Sequence, residues 1–162
     1  MDYEKIARNL KRRYNQLIIR RLSDMKDKYT EKKEAEKILK KKNPLIYTVY
    51  RKDIDDKRNV SLTLMKPGTI GKEYYMTKGH RHDKPHKELY VLVKGQGKLL
   101  LEDKKRKIKV IELEKGKEFK IPGDSAHRLV NTGKETLEVI TIDYKDVGKD
   151  YSTEFKKKIL KN

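Results

Sequence analysis

An all-β fold behind a short, mainly helical N-terminal segment is the architecture this sequence predicts, on three observations. First, the chain breaks into short β-branched and aromatic runs at 45–50, 60–65, 73–77, 89–93, 98–101, 108–113, 118–121, 127–130 and 137–142. Second, turn residues separate them: Pro67-Gly68, Gly95-Gln96-Gly97, Glu102-Asp103-Lys104, Lys115-Gly116, Pro122-Gly123-Asp124 and Thr132-Gly133. Many short strands at such spacing imply a sandwich or barrel. Third, the first forty or so residues are rich in Lys, Arg and Glu and carry helical signals instead. Ile6, Leu10, Leu17 and Ile18 recur at near-helical spacing, and Thr30 can cap a helix carrying Ala35, Ile38 and Leu39. Asn43-Pro44 ends that helix, since proline disfavours the helical conformation of the residue before it. The expected organisation is a basic, partly helical segment at 1–43 packing on the barrel, the barrel at 44–151 and a basic tail at 152–162.

Composition bounds the function. The 162 residues suit one domain with a modest core. There is no cysteine, which excludes disulfides and thiolate metal sites. No apolar stretch is long enough to span a bilayer and no signal-peptide pattern opens the chain, so the expectation is a soluble cytoplasmic protein without a membrane partner. The net charge is +18, with 42% charged residues. Lysines interleaved with glutamates and the absence of Trp and Cys fit a heat-adapted source. The excess positive charge favours anionic partners: a sugar phosphate, a nucleic acid or acidic cell contents. The basic runs Lys11-Arg12-Arg13, Lys40-Lys41-Lys42, Lys104-Lys105-Arg106-Lys107 and Lys156-Lys157-Lys158 are scattered, and no nucleic-acid-binding motif accompanies them. They read as solvated surface, and nucleic acid is not the expected partner.

The histidines carry the chemistry. His80 and His82 stand at i and i+2, so on a strand their imidazoles share a face. Glu88 follows, and His127 comes from a later strand. On a strand over 88–93, Glu88, Tyr90 and Leu92 line the interior, while Leu89, Val91 and Val93 share the other face and can pack between sheets. Gly95 and Gly116 start turns, Pro122 fixes the chain before His127, and Asn131 closes the next turn through side-chain bonds to the backbone. A His-X-His pair alone is weak. The joint spacing is specific: Gly-His-X-His, Glu, six residues, Gly; later Gly, five residues, Pro, four residues, His, three residues, Asn. Three imidazoles and a carboxylate leave open positions on a six-coordinate Fe(II), Mn(II), Ni(II) or Zn(II). His86 is read as a loop residue.

Those motifs resemble the paired signatures of the cupin superfamily, a double-stranded β-helix or jelly-roll barrel with one interior metal. The stretch Pro67-Gly68-Thr69-Ile70-Gly71-Lys72-Glu73-Tyr74-Tyr75-Met76-Thr77-Lys78-Gly79-His80 narrows the match. It is similar to the metal-site approach of the archaeal cupin-type glucose-6-phosphate isomerases. Arg20-Arg21-Leu22-Ser23-Asp24-Met25-Lys26, residues 44–50 and Gly148-Lys149-Asp150-Tyr151 also resemble that family. The resemblance implies interconversion of glucose 6-phosphate and fructose 6-phosphate by a homodimer with one divalent transition metal, Fe(II) foremost. Carried over, the metal ligands are His80, His82, Glu88 and His127. The phosphate is held by Tyr47, Thr63, Thr77 and the Gly79 backbone. Tyr90 lines the sugar site, and Glu88 and Tyr90 are the catalytic candidates. Glu88 can move a proton between C1 and C2, a role that typically supplies about 10²–10⁴-fold; a metal-assisted hydride shift uses the same residues.

The chain departs from the family in named places. The stretch between His82 and Glu88 is shorter than the family pattern. Asp143 stands where the isomerases carry a phosphate-contacting tyrosine, and Lys149 replaces a histidine. A carboxylate at 143 repels phosphate unless it points outward or pairs with a lysine. Two alternatives therefore accompany isomerisation of glucose 6-phosphate: an isomerase of a different phosphorylated sugar, and a non-catalytic cupin that binds a sugar phosphate or other anion.

Overall fold

The computed structural model describes residues 1–82, 87–145 and 147–162. His86 lies outside the described residues. Helix α1 (Tyr3–Leu10) starts at Asp2, whose carboxylate accepts the Lys5 N–H at 3.0 Å. Strand β1 (Gln16–Arg21) follows, then the short α2 (Leu22–Met25) and α3 (Lys32–Leu39). The strand region begins with β2 (Leu45–Asp53) and β3 (Arg58–Met65), then β4 (Thr69–Ile70), β5 (Glu73–Tyr74) and β6 (Arg81–His82). After these come β7 (Glu88–Lys94), β8 (Gly97–Glu102), β9 (Ile108–Glu112), β10 (Glu118–Ile121), β11 (Ala126–Asn131), β12 (Leu137–Tyr144) and β13 (Lys149–Asp150).

A six-stranded antiparallel sheet, ordered β1-β2-β3-β12-β7-β10, faces a three-stranded sheet, β11-β8-β9. Isolated antiparallel bridges, Met76 with Val130 and His80 with His127, extend the smaller sheet by the stretch leading into β6. The strand alternation places Tyr47, Met65, Tyr90, Leu92 and Val139 inside, against Leu99, Leu101, Leu129 and Val130 of the opposite sheet. This is the predicted all-β architecture, the double-stranded β-helix of the cupins. No helix among the described residues is long and apolar enough to cross a membrane.

Three expectations need correction. Leu17 and Ile18 are not helical: they lie on β1, which pairs with β2 from Gln16 opposite Arg51 to Arg21 opposite Leu45. The β-branched Ile18 and Ile19 suit a strand, and the partner edge of β2 outweighs the weak helical spacing. Thr30 caps no helix; its N–H and hydroxyl both donate to the buried Glu73 carboxylate, and Glu31 flanks α3 instead. Leu89, Val91 and Val93 do not pack between the sheets. They lie on the outer face, where Ala7 and Leu10 of α1 cover them together with Leu62 and Ile140. The helix therefore seals the back of the strand whose front carries Glu88 and Tyr90.

Candidate metal centre and substrate cavity

Each ligand candidate is placed by the backbone before its side chain is considered. His80 and His127 exchange both backbone hydrogen bonds, His80 N–H to His127 O at 3.1 Å and His127 N–H to His80 O at 3.0 Å. That bridge sets their rings 4.4 Å apart. His82 is held in β6 opposite Lys149 of β13, and Glu88 opens β7 opposite Ile121. The alternation of β7 turns Glu88 inward beside the imidazoles. One ligand atom from each of His80, His82, Glu88 and His127 lies within 4.8 Å of the others.

The tautomers follow from what each ring touches. His82 Nδ1 lies 3.2 Å from Gly148 O, and His127 Nδ1 lies 3.3 Å from Ser125 O. A carbonyl only accepts, so both Nδ1 atoms carry a proton, which leaves each Nε2 as the atom able to present a lone pair to a bound cation. Those Nε2 atoms stand 2.8 and 2.9 Å from Glu88 Oε2. His80 Nε2 lies 3.2 Å from His82 Nε2. Among the described residues, His127 Nε2 is buried without a well-aligned hydrogen-bond partner. Imidazole nitrogens and a carboxylate oxygen gathered at this range repel one another unless a proton or a metal ion sits between them. The donor set, imidazole nitrogen with one carboxylate oxygen, fits a first-row divalent ion.

Electrostatics agree. Burial, with the neighbouring His127, pushes the His80 pKa down to about 2, which keeps its ring neutral. Burial alone would raise the Glu88 carboxyl; the imidazoles of His127 and His82 outweigh it and hold the group well below the usual carboxylate range. Tyr90 is pushed well above its ordinary value by burial and by the Glu88 and Asp143 carboxylates. Its hydroxyl is bonded to the side chains of Glu88 and Thr141. Tyr90 thus holds its proton and donates it as a hydrogen bond.

A cavity open to solvent lies in front of this cluster. Tyr47, Thr63, Thr77, Gly79, His80, Glu88, Tyr90 and His127 all line it, and His82 stands behind. Tyr47 Oη accepts the Lys78 N–H at 3.3 Å, and Thr77 Oγ1 accepts the Leu129 N–H at 3.0 Å, so each hydroxyl keeps its own proton to donate. The loop carrying Thr77 to Gly79 is pinned by buried Arg128, whose guanidinium donates to Thr77 O at 3.0 Å and Lys78 O at 2.7 Å. Gly79 has φ +74°, and a Cβ there would fall 2.5 Å from Phe155 Cε2. Its backbone conformation and the Phe155 ring together account for a glycine here.

The cavity also contains residues that sequence reasoning did not select: Arg20, Arg51, Ser61, Lys78 and Thr141. Strand parity could have found two of them. Arg51 shares a face of β2 with Tyr47, and Thr141 stands opposite Tyr90. Among 43 Lys and Arg residues, a particular arginine carries no signal of its own. The Asp143 carboxylate is buried and pairs with Lys149 Nζ at 3.5 Å, while its other oxygen accepts from Asn59 Nδ2 at 3.2 Å. The two departures at 143 and 149 are thus partners, and the lysine neutralises the carboxylate.

Known proteins resemble the chain in both sequence and fold. The family model described as glucose-6-phosphate isomerase matches residues 19–160. The glucose-6-phosphate isomerase of Pyrococcus abyssi is 40% identical over 140 residues, spanning 84% of this chain and 74% of that protein. The one from Thermococcus litoralis is 35% identical over 139 residues, 83% and 73% of the two chains. Among solved structures, Bacillus subtilis oxalate decarboxylase, a protein with Mn(II) centres, superposes with TM-score 0.52 and 19% identity over 62% of this chain and 26% of its own. Lactobacillus farciminis oxalate decarboxylase gives TM-score 0.51, also at 19% identity, over 61% and 28%. The chain covers under a third of those longer proteins, and the likeness concerns the fold alone. Matched by the family model from β1 almost to its last residue, the chain belongs to the glucose-6-phosphate isomerase family.

Proposed function

We propose that the chain interconverts glucose 6-phosphate and fructose 6-phosphate beside one divalent metal held by His80, His82, Glu88 and His127. The carrying observation is the convergence of one ligand atom from each of these four side chains within 4.8 Å, beside a hydroxyl-lined cavity. When bound, the metal supplies Lewis acidity that polarises the oxygens at C1 and C2. Fe(II) is the favoured ion, with Mn(II), Ni(II) and Zn(II) compatible with the same donors. Tyr47, Thr63 and Thr77 offer hydroxyl donors to the phosphate, and Gly79 offers its N–H without side-chain bulk. Arg20 and Lys78 line the same cavity and add positive charge. Glu88, ionised, takes the proton from C2 and returns it at C1, while the proton of the C2 hydroxyl passes to the C1 oxygen. Tyr90 donates a hydrogen bond to Glu88 and keeps that carboxylate oriented toward the substrate.

The lysine beside Asp143 removes the electrostatic objection to a phosphate in this cavity. We place the enzyme in the cytoplasm, where phosphorylated sugars are made and used. We also propose a homodimer. Strand β1 is an edge of the large sheet, and Leu17 and Ile19 on it are 39% and 47% exposed. The test is elemental analysis of purified protein followed by a coupled isomerase assay. Turnover that EDTA abolishes and added Fe(II) or Mn(II) restores supports the reading. Thermal stabilisation by glucose 6-phosphate without turnover selects a binding protein instead. Turnover confined to another member of a phosphosugar panel reassigns the substrate.

A further inference from the structure

We infer that the Asp143/Lys149 ion pair is a latch that positions the His82 imidazole and holds Tyr151 beside His80. The inference rests on the metal-centre reading and goes beyond it, because neither residue is a ligand. Strand β13 forms a two-stranded ladder with β6, Lys149 opposite His82 and Asp150 opposite Arg81. So short a ladder has little stability of its own. Yet three contacts from this segment bear on the site. Gly148 O faces His82 Nδ1 at 3.2 Å and sets its tautomer. The Tyr151 ring lies 5.5 Å from the His80 ring, and Tyr151 lines the cavity. Lys149 reaches across to the large sheet, where Asp143 of β12 is held by Asn59. Asp143 is 3% exposed and the Lys149 side chain 18%, so the pair is shielded from salt far better than a surface pair. Through it the six-stranded sheet that carries Glu88 is tied to the two-stranded ladder that holds His82. The two are thereby held in register, as a hydrogen-bonded outer partner orients a ligating imidazole.

A double substitution separates this role from plain stabilisation. Removing both charges, D143N with K149M, leaves no buried unpaired ion and preserves the fold better than either single change. Mn(II) binding is measured by titration calorimetry on the parent, K149R and the double variant, with the thermal midpoint of each metal-free protein. The expected result is parent-like binding in K149R. The double variant should keep the parent's midpoint and bind Mn(II) about 10–100-fold more weakly, the usual loss when an outer partner of a ligand is removed. Equal Mn(II) affinity in the double variant and the parent overturns the latch, as does K149R binding as weakly as the double variant. A parent that binds no Mn(II), Fe(II) or Zn(II) rejects the metal centre itself. Hydrogen exchange on the unmodified chain decides the matter if the double variant fails to fold. Loading with Mn(II) should protect residues 148–151 along with 80–82, and protection of 80–82 alone overturns the proposal.

Discussion

His127 and Glu88 are the side chains on which the proposed chemistry turns. Replacing His127 with Ala removes an inward-facing nitrogen at 2.9 Å from Glu88 Oε2. Metal content by elemental analysis should fall, and isomerase activity should drop by at least about 10²-fold. A substrate deuterated at C2 distinguishes the two routes. Proton transfer through Glu88 loses label to water, whereas a hydride shift retains it at C1. Gly79→Ala tests a backbone constraint: φ +74° costs a non-glycine residue about 1–2 kcal/mol, and displacing Phe155 adds to it. Urea denaturation should show that loss. Acid should also destabilise the metal-free protein. The folded His80 pKa sits near 2, below its ordinary 6.5, so the unfolded state alone gains a proton as pH falls below 6.5. Stability present above pH 6.5 is therefore lost below it, by about 1.4 kcal/mol per pH unit for one such group, and Glu88 adds to the loss at lower pH. Denaturant titrations at pH 7 and 5.5 measure the difference.

Elements place these residues, and the strands were far more legible than the helical segment. The runs at 60–65, 89–93, 118–121, 127–130 and 137–142 match β3, β7, β10, β11 and β12 within a residue or two, because alternation and turn residues mark them locally. Strand β1 was not legible. Its partner β2 lies some thirty residues on, and nothing in its own spacing declares an edge strand. The role of Leu89, Val91 and Val93 was hidden for the same reason: alternation shows that two faces differ, not which element covers each. Helix α1 covers the outer one, and Leu10 is buried in that contact. Leu10→Ala should cost about 2–5 kcal/mol in urea denaturation, with metal affinity kept if the barrel holds.

At the scale of the molecule, a net charge of +18 surrounds a cavity that takes an anion in the proposed reaction. Long-range attraction then speeds substrate capture, so kcat/KM should fall as salt rises while kcat changes little. Steady-state kinetics between low and physiological ionic strength test this. The proposed homodimer predicts that Leu17→Lys with Ile19→Lys shifts the molar mass seen by light scattering toward the monomer. An unchanged mass would place the interface elsewhere.

Alternating strands, turn residues and the spacing of His80, His82, Glu88 and His127 are written along the chain, and from them the barrel, its ligand candidates and its family were readable. Those features are local, since a period of two and a turn of a few residues need no distant partner. The ligand atoms that converge, the arginines that enter the cavity and the pairing of Asp143 with Lys149 emerge only when remote strands meet. Register and strand neighbours are set by the packing of the entire barrel, and no stretch of sequence states them alone.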